Sequence, residues 1–446
     1  MGIEVCTIGG FTKTAGNSVA VKIDDEVIIL DMGLSMENYI RFGDDREDAS
    51  TKTYDALLEA GAVPNYGLVD DWKTKVKAII PSHAHLDHIG AVPFAASLYP
   101  MVPIICTPFT AQVLKTIFYD ERIKSPNRII SVNLNSSYKV TPNITAEFIH
   151  ITHSIPHTAV VVLHTPYGKV MYANDYKFDL QPVVGKRPNF ERLTEIGKEG
   201  GVKLLIMECL YAHEHRKMPS ESVAKQMLKD VLFGVPSEGK VIIVTTFSSH
   251  IARLKTIIEM GKKLNRKVIV LGRSLTKYIK AAEKIELVNF EKDALMVSYR
   301  DQIEKTLDKI QKTGKDKYLI ICTGHQGEPK AMLSKMVRGE LAFNFESGDI
   351  VVFSCSVIPV ELNQQNRDVL EQGLQAKGVR IFRDVHVSGH AAREDHRDML
   401  EMVKPQYIIP AHAGADKAQM LAELAESLGY KNTKIMKDGE RFVVPE

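Results

Sequence analysis

The chain has 446 residues, more than one hydrophobic core ordinarily supports, so two domains are expected. Apolar residues make up 44% of it and charged residues 25%, an ordinary globular balance that excludes long disorder or a fibrous repeat. A formal charge of +2 excludes a uniformly basic surface but leaves room for a local basic groove around an anionic ligand.

In chain order, "SVAVKIDDEVIILDMG" reads as a hairpin, two β-branched runs about the acidic turn Asp24-Asp25. Residues 36 to 74 are polar without clear periodicity and read as a long surface excursion. Helical patterns follow Asp87 and cover Thr110 to Tyr119. "TAEFIHITHS" and "TAVVVLHTPYGKVMYANDY" give three more strands, with Pro166-Tyr167-Gly168 as a turn. Near residue 205 the character changes: "KVIIVTTFSSHIARLKTIIEMGKKLNRKVIVLGRS" is strand, helix, strand, and the alternation continues through "KYLIICTGH" and "DIVVFSCSVIPVE". Such spacing implies a parallel sheet with crossover helices. Beyond residue 376 a strand, a helix over Arg393 to Val403, the strand "YIIPAH", another helix and a final hairpin are expected.

No apolar run reaches the roughly 20 residues that span a bilayer. The start, "MGIEVCTIGG", has neither the basic nor the apolar region of a secretory leader. Five scattered cysteines without a CxxC pair fit reduced thiols, so a cytoplasmic protein is expected.

The densest chemistry is "PSHAHLDHIG", residues 81–90. His83 and His85 stand two apart in an extended segment, so their side chains point the same way. Asp87 and His88 follow where the chain turns into a helix and can face a second point. Neutral imidazoles and carboxylates are ligands of zinc and related ions, and one short loop would thus serve two adjacent metals. A capped helix start with solvated histidines is the other reading. Other strand ends repeat the pattern: His153 follows "AEFIHIT", Asp175 follows "GKVMYAN", His412 follows "QYIIPA" and Asp31 follows "EVIIL".

In that order these residues resemble the successive motifs of the metallo-β-lactamase fold, an αββα sandwich with a two-metal cleft along its sheet edges. The resemblance implies that His83, His85 and His153 hold one metal and Asp87, His88 and His412 the other. Asp175 would bridge them, and Asp31 would orient the loop. The α/β insertion resembles the β-CASP domain of nucleic-acid-cleaving members, and Glu208 in "LLIMECLYA", His390 in "VHVSGHAAREDH" and His412 match its motifs. The implied architecture is α/β: a metallo-β-lactamase sandwich in residues 1–208 and 376–446, interrupted by a β-CASP domain in 209–375.

Within that group "TTFSSHIAR", "LGRS", "SCSVIPVE" and "HVSGHA" resemble conserved blocks of the ribonuclease J family in its archaeal form. The chain departs from bacterial members in reading "HSIPH" for "HSIPD" and Glu208-Cys209-Leu210 for "DST", neither of which removes a ligand. No counterpart of the extra C-terminal domain of bacterial members is expected from the resemblance. The resemblance implies a metal-dependent 5′-to-3′ exoribonuclease acting on 5′-monophosphorylated single-stranded RNA, with some endonuclease activity allowed for. A 3′-end-processing endoribonuclease is the alternative. Two divalent ions are implied, zinc ahead of manganese or magnesium. The partner is single-stranded RNA with no membrane, and a homodimer is allowed for.

Asp87, His390 and Glu208 are the candidate catalytic groups: His390 would protonate the leaving oxygen and Glu208 would fix its tautomer. Ser388, Gly389 and His390 lie ahead of a helix N-terminus, a place that suits an anion. Ser248 and Ser249 lie between strand and helix with Arg253 one turn on, which suits a phosphate, although Ser249 alone would serve as a helix cap. The resemblance points them at the RNA 5′-phosphate, with Arg273, Ser354 and Ser356 as further candidates.

Overall fold

The structure is a computed structural model that describes residues 2–44, 52–358 and 360–446. It divides into two compact units. The first comprises Met1–Leu180, Arg187–Met218 and Gly389–Glu446, and the second Gln181–Lys186 and Pro219–Ser388. Among the described residues no helix is long and apolar enough to cross a membrane.

In the first unit Ser18–Ile23 and Glu26–Leu30 form the expected hairpin, with Asp24 in the left-handed conformation (φ 52°) that so short a turn requires. They belong to a seven-stranded sheet in the order Arg441–Val444, Ile3–Gly9, Ser18–Ile23, Glu26–Leu30, Val76–Ile80, Ile104–Cys106, Ile129–Ser131. A second sheet runs Pro405–Ala411, Val202–Glu208, Gly168–Ala173, Ala159–Thr165, Thr145–His150, Ser136–Lys139. Side chains alternate across each strand. Ile28, Leu30 and Ile80 of the first sheet therefore meet Phe148, Val161, Tyr172 and Leu204 of the second in one buried core. The second sheet's other face, with Met171, Leu205 and Ile408, packs on Leu193, Leu400 and Leu421 from three helices.

Strand direction is what matters for function. Glu26–Leu30 runs parallel to Val76–Ile80, so Asp31 and His83 emerge at one edge. Val202–Glu208 runs parallel to both Gly168–Ala173 and Pro405–Ala411, so Asp175, Glu208 and His412 emerge together from the facing sheet. Two successive antiparallel pairings give Thr145–His150 the same direction, and His153 joins them.

Two expectations are corrected here. The described part of residues 36 to 74 is not an open excursion: it holds the helices Met36–Asp44 and Tyr54–Glu59 and the 3-10 segment Tyr66–Lys75. Their apolar faces are too short to read as periodic, yet Leu57, Tyr66, Val69 and Trp72 are buried. Trp72 lies under the Arg441 guanidinium, 4.5 Å from its ring centre, which leaves no face for a base. The final hairpin is instead the single strand Arg441–Val444, whose antiparallel partner is Ile3–Gly9 at the other end of the chain.

The second unit is a wholly parallel six-stranded sheet, ordered Ala294–Val297, Lys267–Leu271, Tyr318–Cys322, Ile242–Thr245, Ile350–Phe353, Arg380–Phe382. Arg380–Phe382, expected beyond the insertion, pairs with Ile350–Phe353 in this sheet, and the unit accordingly runs on to Ser388.

The reading of Arg253 and Ser354 as phosphate contacts is overturned by their surroundings. Both are fully buried. Arg253 makes a two-pronged pair with Glu221 (2.6 and 2.9 Å), and its remaining nitrogen donates to Ser354 O and Oγ (2.9 Å each). Ser354 Oγ donates in turn to Val385 O. The fork is spent inside the unit, tying a helix to two strand ends. Nor is Ser249 the helix cap, because His250 fills that position and its ring accepts from Arg253 N. Ser248 and Ser249 are half-buried, Ser248 bonded to Ser274 Oγ at 3.0 Å, while Ser356 is half-buried and Arg273 exposed.

Arg253→Ala takes the guanidinium away from the buried Glu221 carboxylate, and a loss of about 3–5 kcal/mol is expected. Urea denaturation measures it; a variant as stable as the parent would return Arg253 to the surface role.

Candidate metal centre

At the sheet edge of the first unit the polar strand ends converge. Ligand atoms of His83, His85, His153 and Asp175 lie within 4.8 Å of one another, as do those of Asp87, His88, Asp175 and His412. His85 Nδ1 stands 3.1 Å from both His83 Nε2 and His153 Nε2, and each of those is 3.5 Å from Asp175 Oδ2. In the second group His88 Nε2 is 3.2 Å from Asp175 Oδ2, and His412 Nε2 is 3.5 Å from Asp175 Oδ1. Ligands of a tetrahedral ion at about 2.1 Å are separated by roughly 3.4 Å. The spacing thus suits a divalent ion in each group, with Asp175 common to both.

Four of the five imidazoles are held from behind. His83 Nδ1 donates to Ser82 Oγ at 3.0 Å, and Ser82 Oγ donates to Asp31 Oδ2 at 2.9 Å. His88 Nδ1 donates to the same oxygen at 2.7 Å, His153 Nδ1 to Gly389 O at 2.6 Å and His412 Nδ1 to Asn17 Oδ1 at 3.0 Å. With Nδ1 occupied, Nε2 faces the centre, and it carries the lone pair wherever the ring is neutral. Asp31 also receives Ser82 N and Tyr172 OH, and it is fully buried.

Charge follows burial. Desolvation holds His83, His153 and His412 below the ordinary histidine range and His85 at about 4, which keeps them neutral, the form that can donate a lone pair. Burial also opposes charge on His88, but Asp175, Asp87 and Asp31 surround it and raise its pKa. Burial would raise Asp175, yet His412, His88 and His390 outweigh it and keep the carboxylate ionised. Asp175 Oδ1 is buried and has no hydrogen-bond partner among the described residues, an arrangement that a cation would satisfy.

Glu208 is fully buried at the end of its strand and accepts from His390 Nδ1 at 2.9 Å and from Tyr176 N at 2.8 Å. The His390 ring stacks on His412 with centres 5.2 Å apart and meets His153 edge-on. Burial disfavours its charged form, but Glu208 and Asp175 win and push its pKa up to about 9. His157 has a left-handed backbone (φ 56°) and is pushed down by burial to about 4.

Gly389 turns out to hold protein rather than an anion: a Cβ there would come within 2.6 Å of Ser154 N, and its carbonyl fixes His153. Ser388 is half-buried at the end of the second unit. Sequence reasoning missed Asn17, Ser82, Tyr172 and Asn174. Asn17 Nδ2 donates to Asp87 O, and Asn174 Nδ2 donates to Tyr172 OH and Asn17 Oδ1, so the amides lock the two strand-end loops together. A signal existed for Tyr172, a polar-tipped residue inside an aliphatic strand; none marks Asn17. At Gly33 a Cβ would lie 1.6 Å from Asp87 O, so only glycine fits beside the ligand loop.

The chain matches three family models: "Metallo-beta-lactamase superfamily" over residues 11–218, "Ribonuclease J, beta-CASP domain" over 239–371, and "Zn-dependent metallo-hydrolase RNA specificity domain" over 379–436. It is 44% identical to ribonuclease J of Methanocaldococcus jannaschii over 97% of this chain and 96% of that one. The chain belongs to the ribonuclease J family. It is 42% identical to the family member from Pyrococcus abyssi over 99% of its own length and 97% of that protein's. A protein of unknown function from Enterococcus faecalis shares the fold, with TM-score 0.67 at 19% identity over 99% of this chain and all of the other. The chain is therefore a hydrolase of the ribonuclease J family, and its His/Asp groups can bind divalent metal.

Asn17→Ala removes the partner of His412 Nδ1, and partners of that kind are worth 10- to 100-fold in metal affinity. Retention of zinc against a chelator should fall by about that factor; unchanged retention would detach Asn17 from the centre.

Proposed function

We propose that the protein is a metal-dependent 5′-to-3′ exoribonuclease acting on 5′-monophosphorylated single-stranded RNA. The observation that carries this is the His390–Glu208 pair, a proton donor set 2.9 Å from its carboxylate and beside the doubled histidine–aspartate cluster. The named ribonucleases J that the chain resembles along nearly its whole length support it.

His83, His85 and His153 would hold one ion and Asp87, His88 and His412 the second, with Asp175 shared; imidazole-rich ligation favours zinc. Ions bound there would supply Lewis acidity to a phosphodiester and acidify the attacking water. The chain's own groups do the rest. Asp87, its carboxylate kept ionised by His88 and His412 against burial, accepts a hydrogen bond from the water. His390, carrying its proton at neutral pH, contacts a phosphate oxygen and gives that proton to the leaving 3′ oxygen. Glu208 holds Nδ1, so Nε2 is the nitrogen that acts.

In the second unit Ser248, Ser249, Ser356 and Arg273 stay candidates for the RNA 5′-phosphate. They follow the carboxyl ends of parallel strands, where open α/β sheets take their ligands.

The test is one 5′-monophosphorylated RNA, labelled at either end and digested with zinc or manganese. Mononucleotide released at once from the 5′-labelled sample is expected, and discrete internal fragments from both samples would move the reading to an endonuclease. Asp87→Ala and His390→Ala should each lower the rate at least ~100-fold with unchanged melting. Full activity in either would remove the roles given to these residues.

A further inference from the structure

The segment after Glu208 runs Cys209-Leu210-Tyr211-Ala212-His213. Neither Tyr211 nor His213 belongs to the ligand groups. Yet the Tyr211 ring lies 6.2 Å from the His390 ring, tilted by 55°, and His213 stacks on Tyr211 at 6.1 Å with 29° between planes. Both residues are half-buried. The platform is fixed, because the Tyr211 backbone is bridged to Ala392, two residues after His390. Just beyond lie the exposed Arg216 and Lys217, paired with Glu214 and Asp398. Surface pairs of this sort are worth little and exchange readily for a phosphate.

An aromatic face, a basic turn and a proton donor side by side are the elements with which proteins hold single-stranded nucleic acid. Tyrosine suits the task because every base has a π-face, so stacking grips a nucleotide without reading its identity. We propose that Tyr211 is the stacking platform for the base of the nucleotide whose 3′ oxygen leaves at His390. The assignment of side rests on the functional reading above: His390 protonates the 3′ oxygen, so the ring beside His390 borders the released nucleotide and not the remaining chain. His213 backs the ring and holds its tilt.

The experiment compares two 5′-monophosphorylated RNAs, identical except that the second carries an abasic ribose as its first residue. Both are given to the full-length protein with zinc or manganese. Wild type should cleave the first phosphodiester of the intact RNA with a kcat/KM about ten-fold above that of the abasic one. Tyr211→Ala should lose about that factor on the intact RNA and nothing on the abasic RNA, while Tyr211→Phe should stay within about two-fold of wild type on both. Equal slowing of both RNAs by Tyr211→Ala would mark a merely structural residue and overturn the proposal, as would no slowing of either. Wild-type protein that cuts neither RNA would overturn the functional reading along with it, and that result is distinct from the other two.

Discussion

The ligand loop at the cleft hangs from the buried carboxylate of Asp31. A charge without solvent is tolerated only when donors surround it, and four converge here: Ser82 N, Ser82 Oγ, Tyr172 OH and His88 Nδ1. Three of these four come from the ligand loop, so that loop has one low-energy position. The fourth comes from the opposite sheet and ties Asp31 to the strand that leads to Asp175. His83 is oriented through Ser82 and His88 directly, which makes one carboxylate responsible for a histidine in each ligand group. Loss of that charge would therefore disturb both groups together.

Topology brings the remaining members without long-range design. Parallel neighbours share a direction, so every strand that ends at this edge offers its next residues to the same space. The chain must then turn sharply, and Asp31, Asp175 and His412 do so with left-handed φ of 58°, 65° and 61°. Side chains other than glycine rarely adopt that conformation, and local strain of this kind gathers at functional sites. A glycine would relax the backbone in each case and delete the group that the site needs.

Much of this was readable from the sequence, and the reasons are physical. Histidines and carboxylates directly behind apolar runs betray strand ends, and a strand end is a place rather than a secondary structure, so His83, His153, Asp175 and His412 could be gathered before any coordinates. Burial of a charge leaves no such trace. Arg253 looked like a phosphate contact because a guanidinium one turn into a helix is usually wet, whereas its partner Glu221 lies 32 positions away, at a separation no local pattern reveals. Asn17 was missed for the same reason: its partners Asp87 and His412 are 70 and 395 positions distant. The helical segments between 36 and 74 escaped because they bury one to three side chains each, too few to set up a period.

The first unit is sewn from three separate stretches, and the last begins only at Gly389. A growing chain emerges from its N-terminus, so Asp31, the ligand loop, His153 and Asp175 exist long before His390 and His412 do. The whole second unit must be synthesised in between. Until that last stretch is made the cleft holds neither His390 nor His412, so the candidate site is completed only when the chain itself nearly is.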